Sequence, residues 1–430
     1  MRLADLTADQ VDAVLTRRHL EAADVTDTCR QIIEAVRRDG DDALLDFTRR
    51  FDGVDMKPGD LRVPPEAFEQ AEKRIAKPLY DALKRAIDNV RTLHETQAPR
   101  AMELVEVDRG VWCGDRWTPI DSVCLYVPRG RGTFPSVAYM LAVPAKLAGV
   151  KRIIMCTPPG PQGTADDATL VAARLIGIDE IYRVGGAQAV AAVAYGADTI
   201  PRCDKIVGPG NVFVSGARRL LSDVIDPGPP AGPSESLILA DGSVDPANAA
   251  WNLMIEAEHG ENSCAILVTH DAASAKMIAD QVKRLRDRLT EPRRRFVDEV
   301  LSRHGGILVT RSLDESIDFA NRFAAEHVAL MTADPWSVLP RVACAGEILL
   351  GDFPIISLGN YAMGINAILP TGGRAKTTSG VGVQDFMKRT SVGFVTAEAF
   401  SAFKEIVPLL SRDEGFSAHH EAVLDWQAPQ

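Results

Sequence analysis

The amino-acid sequence predicts an α/β protein with parallel sheets, arranged as two β/α series with helical segments before and after them. Short β-branched runs ending in glycine or proline alternate with helical stretches, first over residues 122–226 and again over 236–350. This is the pattern of parallel strands joined by crossover helices. The two series are separated at Asp226-Pro-Gly-Pro-Pro-Ala-Gly-Pro233, where four prolines and two glycines in eight residues can continue neither kind of element. Length and composition agree: 430 residues, 46% apolar and 25% charged, suit a globular chain of two large domains with appendages.

From Leu6 to about Ala101 the pattern is helical, as in Asp27–Arg38 and Pro65–Gln97, where apolar residues recur three and four apart. The first strand series follows: Ser122-Val-Cys-Leu-Tyr-Val-Pro, Lys151-Arg-Ile-Ile-Met-Cys-Thr, Glu180-Ile-Tyr-Arg-Val-Gly-Gly and Asp204-Lys-Ile-Val-Gly-Pro-Gly-Asn. Helices are expected between them at Ala165–Leu175 and Gln188–Tyr195. The second series places strands at Ser236–Ala240, Cys264–Thr269, Gly306–Thr310, His327–Met331 and Glu347–Leu350, with helices near Asn248–His259, Ala273–Arg286 and Leu313–Ala324. A glycine-rich stretch, Gly372–Gly382, leads into a largely helical tail from Ala397 to Trp426.

Charge and composition exclude several classes. With 48 basic against 59 acidic side chains the net charge is −11, which argues against a nucleic-acid or anionic-membrane binder. The most apolar stretch, Ser136–Val150, is broken by Lys146 and falls short of a membrane span. Met1-Arg-Leu-Ala-Asp lacks the basic-then-apolar layout of a signal peptide, so the expected location is cytoplasmic. The seven cysteines form no Cys-x-x-Cys pair, which speaks against a disulfide framework or a thiolate zinc site.

Four features could carry chemistry. Glu256 and His259 close a helix opened by Asp245-Pro246; spaced three apart they share one face and could hold a metal, or they form a solvated helix end. Glu326-His327 stands where a helix gives way to a strand, and the two could act as separate proton acceptors or form an ordinary exposed pair. Glu414 and His419 lie five apart near the chain end, as tail surface or as site residues. The glycine-bearing loops Val127–Thr133, Gly185–Gln188 and Gly208–Asn211 sit at strand ends, where backbone can approach a ligand. Neither a Gly-x-Gly-x-x-Gly fingerprint nor a Walker lysine loop is present.

Taken in order, Tyr126-Val-Pro, Val184-Gly-Gly-Ala-Gln188, Lys205-Ile-Val-Gly-Pro-Gly-Asn211, Ala231-Gly-Pro-Ser234-Glu, Ala257-Glu-His259-Gly, Ala325-Glu-His327, Leu369-Pro-Thr-Gly-Gly, Asp385-Phe-Met-Lys and Glu414-Gly with His419 resemble the histidinol dehydrogenase family. The resemblance runs from about residue 25 to 422. It implies a zinc- and NAD-dependent enzyme, with one Zn²⁺ per subunit, that oxidises an amino alcohol through an enzyme-held aldehyde to the carboxylate. It also implies two incomplete Rossmann-like domains: a helical arm over 1–25, a first domain of 26–121 with 234–380, a second of 122–233 on the NAD side, and a helical extension over 381–430 exchanged in a homodimer. His327 then accepts the hydroxyl proton and Glu326 activates the water that hydrates the aldehyde. Tyr126, Gln188 and Asn211 fall at NAD-contacting positions. Substrate contacts fall on Ser234, His327, Glu414 and His419, together with the metal ligands.

Two departures stand out. The family's zinc ligands, a Gln and a His three apart, an Asp in a glycine-flanked loop and the tail His, fall here on Glu256, His259, Asn360 and His419. Amide and carboxylate have changed places, so the summed ligand charge is kept, and either oxygen can bind Zn²⁺. The family's substrate-contacting His at the end of Gly359–Ala367 is Ala367, in a loop that also carries Met363 and Ile365. Loss of the ring removes a polar contact and leaves room for a different ligand group. The expectation is a relative acting on another small polar alcohol. The alternatives are L-histidinol oxidation itself, or a ligand-binding homologue without catalysis.

Overall fold

A computed structural model describes residues 1–17, 25–130, 132–230 and 232–427. Most of the expected junction between arm and first domain, with His19, lies outside the described residues, as do Arg131 and Ala231 of the quoted loops. The chain divides into two compact units, Met1–Gln97 with Ile120–Phe386, and Ala98–Pro119 with Met387–Gln430.

The larger unit begins with helices α1 (Ala8–Thr16), α2 (Thr26–Asp52), α3 (Pro65–Arg74) and α4 (Lys77–Glu95). Thr7 caps α1 with a reciprocal bond to Gln10. Gly40, at φ 53°, breaks the helical path of α2. The smaller unit takes up the next two strands, β1 (Met102–Asp108) and β2 (Val111–Pro119).

The chain then builds β3 (Ser122–Tyr126), α5 (Pro135–Leu147), β4 (Arg152–Thr157), α6 (Asp167–Ile176), β5 (Ile181–Arg183), α7 (Gly186–Tyr195), β6 (Lys205–Val207) and α8 (Val212–Leu220). The four strands form a parallel sheet in the order β5-β4-β3-β6. Cys29, Ile32, Ile33 and Val36 of α2 follow the spacing of one helix face, and that face is buried with Cys124, Ile154 and Ile206 of the sheet and Ala189–Ala194 of α7. Helix α7 is apolar on every side because it is buried all round. On the other side α3 and α4 pack against α5 and α6.

A second series follows: β7 (Glu235–Ala240), α9 (Pro246–Ala257), β8 (Cys264–Thr269), α10 (Ala272–Leu285), α11 (Arg293–Arg303), β9 (Gly306–Val309), α12 (Leu313–Phe323), β10 (His327–Met331), α13 (Pro335–Val338), β11 (Glu347–Leu350) and α14 (Ile356–Tyr361). Its strands are parallel in the order β11-β10-β7-β8-β9. Alternate residues of β7 point to opposite faces. Ile238 and Ala240 join a core with α9, α10 and α11, and Leu237 and Leu239 join one with α12 and, at its margin, Val14 and Leu15 of α1. Both sheets are Rossmann-like, as the sequence predicts, and every strand expected between residues 122 and 350 is present.

The smaller unit is a three-stranded antiparallel sheet, β1-β2-β12, with β12 at Met387–Val395, followed by α15 (Ala397–Asp413) and α16 (Ser417–Asp425).

The structure distributes the segments of the expected first domain in more detail. The apolar stripe of α2 is covered by α7 and α8 and so packs on the first sheet, whereas α4 also reaches the 234–380 segment, Asn89 donating to Ala362 O at 2.7 Å and His94 lying 3.3 Å from Asn366; spacing reveals a stripe but not its partner. Residues 98–119 leave that domain as a hairpin, and the 381–430 extension carries a strand as well as helices. All seven residues of β1 are exposed, so no clean alternation marks the hairpin. Its pairing with β12 spans more than 250 positions. Among the described residues, no helix is long and apolar enough to cross a membrane.

Candidate active site

Three of the expected cofactor residues lie at the carboxyl edge of the first sheet. The chain runs from β3 to β4 and β5, then returns to place β6 on the other side of β3. The reversal leaves a crevice between β3 and β6, where open parallel sheets bind ligands. Tyr126 ends β3 and Asn211 follows β6. The buried Tyr126 hydroxyl accepts the Gly186 N–H at 3.0 Å, tying the end of β3 to the start of α7. Burial pushes this phenol up, with only partial relief from that bond. Gln188 is buried on the first turn of α7, and its Oε1 has no hydrogen-bond partner among the described residues. Asn211 caps α8, its Oδ1 accepting the N–H groups of Phe213 and Val214 at 3.0 and 3.1 Å.

The expected catalytic residues gather at the opposite, amino edge of the second sheet. Ser234 and Glu235 precede or open β7, Glu326 and His327 open β10, and Glu347 opens β11. Helix α9 runs back across the sheet, so its last turn comes to the same edge. Asp245 caps its start through the N–H groups of Ala247 and Asn248, Glu256 is fully buried near its end, and His259 follows just past the last turn. Asn360 stands on α14 rather than in an open loop.

These side chains meet. Asn360 Nδ2 donates to Glu256 Oε1 at 2.8 Å, and His259 Nδ1 lies 3.4 Å from Glu256 Oε2 and 3.0 Å from the Ser234 hydroxyl. His327 Nε2 is 3.9 Å from Glu256 Oε1 and 3.8 Å from Glu326 Oε1. The ligand atoms of Glu256, Glu326 and His327 all lie within 4.8 Å of one another. Glu326 is held by the Glu235 N–H, which donates to its Oε2 at 2.9 Å.

Burial and mutual charge set the electrostatics. Burial pushes Glu326 well above the usual carboxylate range, His327 pulls it back and Glu256 raises it further. Burial also disfavours the Glu256 anion, but His259, His327 and the Asn360 bond together outweigh it and hold this carboxyl low. For His327 burial acts downward, yet Glu256, Glu326 and Glu347 carry the imidazole up to about 10. Such a concentration of buried carboxyls calls for positive charge, and a cation held at Glu256 would offset the carboxylates that raise His327 and the Glu256 charge that raises Glu326, freeing both to accept protons.

The sequence reading missed two parts of this site. Glu347 Oε1 lies 2.6 Å from His327 Nδ1, both side chains being buried. Beneath Glu326, Arg17 grips Glu235 with two bonds of 2.8 and 2.9 Å, and Gly372 N–H donates to the same carboxyl at 2.9 Å. Each depends on partners far apart in the chain, and no local motif announces either.

Comparison with known proteins covers nearly the whole chain. The sequence profile described as histidinol dehydrogenase matches residues 15–425. The chain belongs to the histidinol dehydrogenase family. It is 43% identical to the histidinol dehydrogenase of Synechocystis sp. over 99% of this chain and 98% of that one. It is 46% identical to a histidinol dehydrogenase homolog of Rhizobium meliloti, over 97% and 92% respectively. The crystal structure of histidinol dehydrogenase from Elizabethkingia anophelis superposes with a TM-score of 0.93 at 32% identity, covering 97% of this chain and 96% of that one.

Against the family's zinc set, the donor chemistry of this site fits a cation. Glu256 Oε2 and Asn360 Oδ1 are buried acceptors with no hydrogen-bond donor among the described residues, a costly state unless a cation satisfies them. Glu414 and His419 belong to the smaller unit, where both are exposed and His419 packs on Phe416 at 5.3 Å between ring centroids. Ala367 is half-buried, its N–H 3.4 Å from the Met140 sulfur, while neighbouring Asn366 donates to Met140 O at 2.7 Å.

Proposed function

We propose that the protein is a zinc- and NAD-dependent dehydrogenase that oxidises a small polar primary alcohol through an enzyme-held aldehyde to the carboxylate. The observation that carries this reading is the buried Glu326–His327 pair beside Glu256 Oε2 and Asn360 Oδ1, two buried acceptors without a hydrogen-bond partner among the described residues. Glu256, His259 and Asn360, with His419, would hold the metal. When bound, zinc supplies a template and Lewis acid for the alcohol oxygen, and NAD supplies the hydride acceptor.

His327 takes the hydroxyl proton at Nε2 as the alcohol carbon loses hydride. In the second oxidation Glu326 takes a proton from the water that adds to the aldehyde, and the hydrate then loses a second hydride. The sum is one alcohol and one water converted to a carboxylate, with two NADH and three protons released. Tyr126, Gln188 and Asn211 flank the crevice of the first sheet, a placement suited to a dinucleotide.

The substrate we favour is an alcohol other than L-histidinol, because Ala367 offers no polar group where the family places an imidazole. A specific observation keeps L-histidinol as the second reading: the 43% identity to the Synechocystis enzyme bearing that name. Metal analysis combined with NADH production on L-histidinol separates them. Stoichiometric zinc with two NADH per histidinol establishes the second reading; zinc without turnover sends the search to other amino alcohols and polyols. A protein that forms NADH from none of them is not this enzyme.

We further propose a homodimer in which the partner's tail supplies Glu414 and His419. The exposed Leu409, Leu410, Phe416 and Trp426 of that tail support a covered role for it. Heterodimers of His419→Ala and Glu326→Gln subunits would then hold one intact site and show about half the wild-type turnover. No recovery over the parents refutes the exchange.

A further inference from the structure

We propose that Glu347 is a positioning residue that keeps the proton of His327 on Nδ1, so that Nε2 presents its lone pair to the reacting hydroxyl. The inference rests on the reading of His327 as proton acceptor. Its geometric basis lies in the sheet: His327 and Glu347 are register partners at the first positions of adjacent parallel strands, so their side chains stand side by side on one face. Glu347 Oε1 is 2.6 Å from Nδ1, and the opposite ring nitrogen faces Glu256 and Glu326.

The surroundings of Glu347 leave little room for a packing role. Its side chain is 2% exposed, and its Oε2 has no hydrogen-bond partner among the described residues. A Cβ at Gly359 would come within 3.0 Å of both carboxyl oxygens, so a glycine beside Asn360 gives this group its space. A buried carboxyl with one bond is expensive as structure alone. Bonded to Nδ1, however, it fixes the tautomer and stabilises the imidazolium that forms when Nε2 takes the alcohol proton. The proton then leaves from Nε2 to water and the Nδ1 bond persists throughout.

The test joins a spectroscopic and a kinetic readout on the zinc-loaded protein. Wild type should show a proton resonance downfield of the amide region from the Nδ1–H bond, absent in Glu347→Gln and in His327→Gln. In Glu347→Gln, whose amide can donate to Nδ1 and favour the opposite tautomer, kcat for the alcohol should fall about 100-fold with KM changed less than about threefold. Glu347→Asp should recover part of the loss. Bound zinc and thermal midpoint should stay at wild-type values. Absence of the resonance in wild type, an unchanged kcat in Glu347→Gln, or a kcat loss that tracks loss of zinc overturns the inference. Should wild type oxidise no alcohol, the functional reading falls, and the resonance still decides whether the pair exists.

Discussion

Replacing Arg17 with Met should loosen the amino edge of the second sheet. The Arg17 and Glu235 side chains are 5% and 3% exposed and joined by two hydrogen bonds; the guanidinium also donates to Phe323 O and lies 3.7 Å from the centre of its ring. Burial raises the Glu235 carboxyl, and Arg17 with the Gly372 N–H pulls it back. Removing one partner of a buried pair leaves the other charge unpaired and costs about 3–5 kcal/mol. At 1.4 kcal/mol per decade this is about 10²- to 10⁴-fold in an opening equilibrium. Hydrogen exchange of residues 235–240 and 327–331 reads that equilibrium locally. The double variant R17M/E235Q should recover at least half of the loss, because the uncompensated charge is gone. A single-variant cost below about 1 kcal/mol, or a double variant as open as the single, refutes the reasoning.

His259→Ala should lower zinc affinity by more than about 100-fold, since even outer partners of metal ligands cost 10- to 100-fold, and turnover should disappear with the metal. Metal content and NADH formation check this, and full activity in a metal-free variant sinks the assignment. Glu326→Gln should slow oxidation of the aldehyde by about 10²- to 10⁴-fold and that of the alcohol much less; equal losses on both substrates count against water activation. Asp52, at the end of α2, has a buried Oδ2 without a hydrogen-bond partner, and burial raises its carboxyl from 3.8 to about 6. The native state therefore holds this proton more tightly than the unfolded chain, so stability falls as pH rises from about 4 to about 6. Full linkage gives about 3 kcal/mol, and solvent screening of this partly exposed group reduces it to about 1 kcal/mol. Asp52→Asn should gain that amount at pH 7 in urea unfolding and nothing below pH 4; a gain independent of pH refutes it.

Much of the molecule is legible one segment at a time. The strands of both sheets announce themselves because buried parallel strands are continuous β-branched runs bounded by glycine and proline. Asp245-Pro246 marks the start of α9, and the structure caps it there. Of the expected site residues, Ser234, Glu256, His259, Glu326, His327 and Asn360 come together within one unit. The hairpin of β1 and β2 was not legible, since exposed strands lack a one-sided apolar pattern.

The sequence by itself determined the strands between residues 122 and 350 and their order, five of the helices between them, the family, and the residue types available for chemistry, because backbone propensity and motif spacing are local properties. The tertiary structure alone decided which sheet each helix covers and at which edge the candidate catalytic groups meet. It also decided that Arg17, Glu235 and Glu347 stand behind Glu326 and His327. Those outcomes depend on burial and strand register between distant segments, where energies are set by what surrounds a side chain rather than by its neighbours in the chain.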